Sequence, residues 1–87
     1  MKKYLKEIAQ NTLRSCREGM GYTQNDTAFI IGCSISSIDR WEKGMGMPNL
    51  DNLLGICAVY KTTPEQAYPA LYKKLRDELT ATGKLRK

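Results

Sequence analysis

The 87-residue chain contains no histidine, one phenylalanine and one tryptophan. Without histidine, proton transfer near neutral pH would require a strongly shifted carboxylate, lysine or cysteine, so no enzyme is expected. The three cysteines, Cys16, Cys33 and Cys57, form no Cys-x-x-Cys pair and have no histidine to complete a mixed zinc site. They read as small buried apolar side chains in a reducing compartment. Gly44-Met45-Gly46 is a lone glycine pair without the lysine of a phosphate-binding loop. No cofactor is expected. No apolar run approaches the roughly 18 residues that cross a bilayer. The stretch Met1-Lys2-Lys3-Tyr4-Leu5-Lys6-Glu7 is basic and lacks the apolar core of a signal peptide. These absences lead us to expect a cytoplasmic location and no membrane partner. The length fits one small domain, near the lower limit at which a hydrophobic core suffices.

What is present begins with charge. The net charge of +5 suits a polyanionic partner. It is carried at the ends, since residues 1–18 and 64–87 each hold +3 while residues 19–63 hold −1. Any phosphate attraction must therefore come from the first helix, the tail and helix amino termini.

Apolar residues recur at spacings of three and four, and no segment alternates as a strand does. The fold expected is all-α, a compact bundle of five short helices plus a C-terminal helix. The first helix should run from about Lys3 to Arg17 on the stripe Leu5, Ile8, Ala9, Thr12, Leu13 and Cys16. Thr23 caps the second, with Asp26 completing a shortened capping box, and Ala28 and Ile31 are its buried residues. Gly32 stops that helix and Ser34 caps the third, Ile35 to about Lys43, whose Ile38 and Trp41 face inward. After the loop Gly44–Pro48, Asn49 caps a fourth helix with Leu50, Leu53, Leu54, Cys57 and Ala58 as its core stripe. Thr63-Pro64-Glu65-Gln66 starts a fifth, with Gln66 closing a capping box. Pro69 then opens a last helix, Ala70 to about Thr82, followed by a frayed basic end. Residues 1–68 are read as one domain. Residues 69–87 are a C-terminal helix and tail, in the same domain or as a dimerisation extension.

The second and third helices are joined through a glycine that can take positive φ. Ala28 is small enough for close approach, and Ile38 plugs the angle between the two helices. Around them stand Arg14 or Arg17, Gly21, Thr23-Gln24, Trp41-Glu42-Lys43-Gly44, Pro48 and the apolar run Leu50 to Ala58. In this spacing the chain, over about Leu13 to Tyr68, resembles the Cro and phage-repressor (XRE-type) helix-turn-helix family. The resemblance implies a lambda-repressor-like bundle that binds double-stranded operator DNA, commonly as a homodimer, to regulate transcription, with repression the expected mode. The recognition helix would be residues 35–43, with Ile35, Ser36 and Arg40 at positions facing base edges. Gln24, Ser37 and Lys43 would match positions that contact the DNA backbone. Two departures stand out: Thr27 occupies a position usually leucine, and Met45 and Met47 replace basic or polar loop residues.

The chemistry of these side chains agrees with such roles. Arg40 can donate two parallel hydrogen bonds to guanine, Ser36 can bond a base edge, and Ile35 can meet a thymine methyl. Asp39 is expected to be an exposed helix residue or a partner for Arg40. Trp41 shares the phase of Ile38 and is expected in the core, not as a stacking platform. The stripe Tyr68, Leu71, Tyr72, Leu75 and Leu79 exceeds what this core needs; it either packs on the first helix or forms the dimer interface, and the dimer is the expected role. The basic residues Lys73, Lys74, Arg76, Lys84, Arg86 and Lys87 read as a solvated face. The alternative is an antitoxin or protein-interaction module on the same fold. Its partner would be a toxin or another regulator, met through the methionine loop and the leucine stripe.

Overall fold

Seven α-helices organise residues 2–84, the part of the chain that the computed structural model describes. A 3-10 turn, Lys2–Tyr4, leads into α1 (Leu5–Ala9), then α2 (Leu13–Gly19), α3 (Gln24–Ile31) and α4 (Ile35–Glu42). These are followed by α5 (Leu50–Tyr60), α6 (Pro64–Ala67) and α7 (Pro69–Ala81). No strand occurs among the described residues, as the all-α expectation requires. No helix among them is long and apolar enough to cross a membrane. Arg86 and Lys87 of the expected basic end lie outside the described residues.

The expected first helix is two helices. At the break the Asn11 side-chain oxygen accepts from the Leu13 N–H at 3.0 Å, while its amide donates to the Ile8 carbonyl at 2.8 Å and the Trp41 carbonyl at 3.1 Å. Thr12 donates through its N–H to the Ala67 carbonyl at 2.9 Å and through its hydroxyl to the Gln66 carbonyl at 2.7 Å. These short polar side chains offer the backbone an alternative to the helical ladder, and the chain turns there. In doing so it ties α1 and α2 to the end of α4 and to α6.

The caps form where the sequence puts them. Thr23 and Asp26 make a full capping box, and Ser34, Asn49 and Thr63 each accept from the N–H three residues on. At Thr63 the box is only half made, because the Gln66 side-chain oxygen accepts from the Thr62 hydroxyl at 3.0 Å.

The core gathers Tyr4, Ile8, Leu13, Ala28, Ile38, Trp41, Ile56, Tyr60, Ala67, Tyr68 and Leu71. α3 packs on α4 and α5, and α7 packs on α1 and α6. Trp41 is buried as expected, whereas the face α5 presents differs from expectation. Ile56, Cys57 and Tyr60 are buried and Leu53 is half-buried, but Leu50 is 67% and Leu54 51% exposed, and Ala58 is exposed. The inward stripe is rotated by part of a turn, to the side that carries Ile56 and Tyr60, whose hydroxyl bonds Thr27 of α3. Thr27, in place of a larger apolar residue, is completely buried and accepts a hydrogen bond from the Tyr60 hydroxyl at 3.0 Å.

Two glycines have different duties. Gly32 adopts φ +84° at the end of α3 with open space around it. Gly44 adopts φ +75° after α4, and a Cβ there would lie 2.4 Å from the Cα of Ala9. Gly32→Ala therefore bears mainly the left-handed backbone cost of about 1–2 kcal/mol, a fall of roughly 5–15 °C in Tm for a domain of this size. Gly44→Ala adds a backbone clash and should fall well below that in thermal unfolding followed by circular dichroism. Equal losses in the two variants would contradict the packing of α1 against the end of α4.

Candidate nucleic-acid interface

The orientation of α4 is set from beneath. Ile38 and Trp41 are buried, and Glu42, one residue on, meets Arg17 of α2 with both side chains nearly covered at 5% and 10% exposure. The Arg17 Nε donates to Glu42 Oε2 at 2.6 Å, Nη2 donates to Oε1 at 3.3 Å, and Nη1 donates to the Tyr22 carbonyl at 2.9 Å. This hydrogen bonding raises the pKa of the Arg17 guanidinium. Of the two arginines the sequence offered for this place, Arg17 is the buried one; Arg14 is exposed and pairs with Glu18 at 3.1 Å.

What α4 turns outward follows from helical geometry. At about 100° per residue, Ser36 and Lys43 point directly away from Ile38 and Trp41, with Asp39 and Arg40 some 50° to either side and Ile35 about 90° away. Ser36 and Arg40 are exposed, and Ile35 is 47% exposed, so it lies at the rim and not in the core. Arg40 does not pair with Asp39 or Glu42. Its Nη2 donates to the Met45 carbonyl at 3.2 Å, which draws it toward the loop. Asp39 instead pairs with Lys43, Oδ2 to Nζ at 2.9 Å, and its Oδ1 accepts from Gln24 Nε2 at 3.2 Å. These two donors hold the Asp39 carboxyl below the usual carboxylate range. Ser37 is half-buried, its hydroxyl 2.9 Å from that of Ser34.

Gln24 is more engaged than a free phosphate-binding amide. Its Nε2 bridges Asp39 and Glu42 Oε1 at 3.2 and 3.1 Å, joining the start of α3 to α4. Gln24 and Asn25 belong to the first turn of α3, whose N–H groups have no intrahelical partner. Both line a cleft of about 600 Å³ that Arg14, Ile35, Asp39 and Lys43 also border. The cleft thus joins part of the outward face of α4 to exposed basic side chains and a helix amino terminus.

The expected dimer stripe is divided. Tyr68 and Leu71 are buried at 2% and 6% exposure and belong to the chain's own core, where α7 folds back on α1 and α6. Tyr72, Leu75 and Leu79 remain 46%, 36% and 46% exposed. Burial pushes the Tyr68 hydroxyl up to about 12. α7 is held near the N-terminus by a 2.9 Å bond from the Tyr4 hydroxyl to Glu78.

Sequence reasoning missed two features. Glu42 pairs with Arg17, signalled by the places of both in the family pattern and by a charge next to the inward phase of α4. Phe29 is 87% exposed on the outer face of α3, beside half-exposed Ile30. Removing one partner of a buried ion pair costs about 3–5 kcal/mol, while replacing both with apolar residues of similar volume recovers much of that. Glu42→Ala should therefore lose about 3–5 kcal/mol in urea unfolding, and Arg17→Met with Glu42→Leu substantially less than the sum of the single losses. Additive losses would contradict the pairing.

Comparison with protein families matches the family model described as Helix-turn-helix to residues 13–66, more than half of the chain. Comparison with curated proteins and with solved structures gives no match.

Proposed function

The chain belongs to the Cro/C1-type (XRE) helix-turn-helix family, a family of DNA-binding regulators, and we propose that it is a sequence-specific transcriptional regulator acting as a repressor. Residues 35–43 read the operator from the major groove. The observation that carries this assignment is the outward face of α4, where Ser36 and Arg40 are exposed above a buried Ile38–Trp41 anchor. Ser36 and Arg40 contact base edges, and Ile35 at the rim meets a thymine methyl. Lys43, Ser37 and the first turn of α3 at Gln24 contact the backbone, with Gln24 contributing mainly by tying α3 to α4. Repression follows if the operator overlaps a promoter, because a bound domain then occludes the polymerase. The protein works in the cytoplasm.

One helix of eight residues reads too few base pairs for selectivity. A homodimer joined through Tyr72, Leu75 and Leu79 supplies the second half-site. A protein-interaction role, including that of an antitoxin, is favoured by a different observation, the almost fully exposed Phe29. The two roles separate experimentally, since only the first depends on Arg40.

Arg40→Glu should lower affinity for a selected duplex by at least roughly 10- to 100-fold, as expected from losing one bidentate base contact. Titration by fluorescence anisotropy measures this, and undiminished binding would remove the assigned role. Leu75→Asp should sediment as a monomer at concentrations where the parent sediments as a dimer, with unchanged helicity. A parent that is monomeric throughout would refute the α7 interface.

A further inference from the structure

We infer that Asp39 is a specificity-determining residue whose carboxylate reads an exocyclic amino group, on cytosine or adenine, in the major groove. The inference rests on the DNA-reading assignment of α4 and deepens it by naming the chemistry of one base position.

Asp39 and Arg40 flank the outward direction of α4 by equal angles of about 50°. A helix seated in the groove on this face therefore brings both side chains to the bases. A carboxylate in such a place opposes phosphate binding, yet this one is held in position. Gln24 Nε2 donates to Oδ1 at 3.2 Å and Lys43 Nζ to Oδ2 at 2.9 Å. Those bonds fix the rotamer, and the lysine offsets the charge that would repel the backbone. Each carboxylate oxygen has two acceptor positions, so one bond to each leaves an acceptor position free on both. The same two donors keep the group ionised and thus unable to donate.

An acceptor-only group discriminates sharply in the major groove. Guanine offers N7 and O6 and thymine offers O4, all acceptors, so each opposes a carboxylate. Cytosine N4 and adenine N6 carry donors and match it. The reading face is thus a donor at Arg40 beside an acceptor at Asp39. The half-site should contain a guanine and, at a separate position, an amino-bearing base.

The test compares duplexes selected from a random pool by the parent and by Asp39→Ala. The methyl group of alanine can neither accept from nor donate to a base edge. Expected is one position per half-site restricted to cytosine or adenine in the parent. That restriction should relax by roughly 5- to 150-fold in the variant, the range of a lost base contact, while the guanine position persists. A motif unchanged at every position would overturn the Asp39 assignment and leave DNA reading by α4 standing. No motif for the parent would overturn both. A second experiment needs no variant selection: cytosine at the assigned position is replaced by pyrimidin-2-one, or adenine by purine, each lacking the amino group. The parent should lose affinity and Asp39→Ala, which has no acceptor, should not, and equal losses in both proteins would refute the contact.

Discussion

The buried pair between Arg17 and Glu42 is the constraint on which the geometry of the interface depends. Two charges that are almost fully covered persist only when their hydrogen bonds are well satisfied. Here the carboxylate receives Arg17 on both oxygens and Gln24 on one, while the guanidinium also serves the Tyr22 carbonyl. The pair therefore joins the end of α2, the α2–α3 turn, the start of α3 and the end of α4 at one point. Rotation of α4 about its axis would break several of these bonds at once. With Ile38 and Trp41 buried beneath, the residues α4 exposes are fixed.

That fixation gives the outward face its meaning. Ser36, Asp39, Arg40 and Lys43 do not form a simple basic strip; an acid stands among them, neutralised by a lysine one turn away. The central segment carries a slight net negative charge, and the surplus positive charge sits in the two ends of the chain. On the proposed reading, long-range attraction to phosphate would come from the ends, and discrimination from a few side chains of mixed character on α4.

Much of the fold could be read from local signals. The caps at Thr23, Ser34, Asn49 and Thr63, the turn at Gly32 and the inward pair Ile38–Trp41 depend on residues a few positions apart, and each formed as expected except the Gln66 half of the box at Thr63. The break at Asn11 was not legible, because the apolar stripe runs straight through it and its partners Trp41 and Ala67 lie far along the chain. The face of α5 was misread for a related reason. Leu50 and Leu54 are as apolar as Ile56, and which side turns inward depends on how α5 packs against α3 and α6. In the interface, the resemblance implied outward positions for Ser36 and Arg40, but not the bonds from Gln24 to Asp39 and Glu42, which cross between helices. The stripe on α7 was legible as apolar, whereas its division between core and surface depends on where α7 meets α1 and α6.

The central claim is that the α4 face is the surface that meets DNA, and nuclear magnetic resonance tests it most directly. The ¹⁵N-labelled protein would be titrated with a duplex recovered by selection, following every backbone amide. The largest shifts are expected at residues 35–43 and in the first turn of α3, with Phe29 and the last turns of α7 little affected by the DNA itself. Shifts centred on Phe29 and Ile30 or on the exposed side of α5, with α4 unmoved, would contradict it.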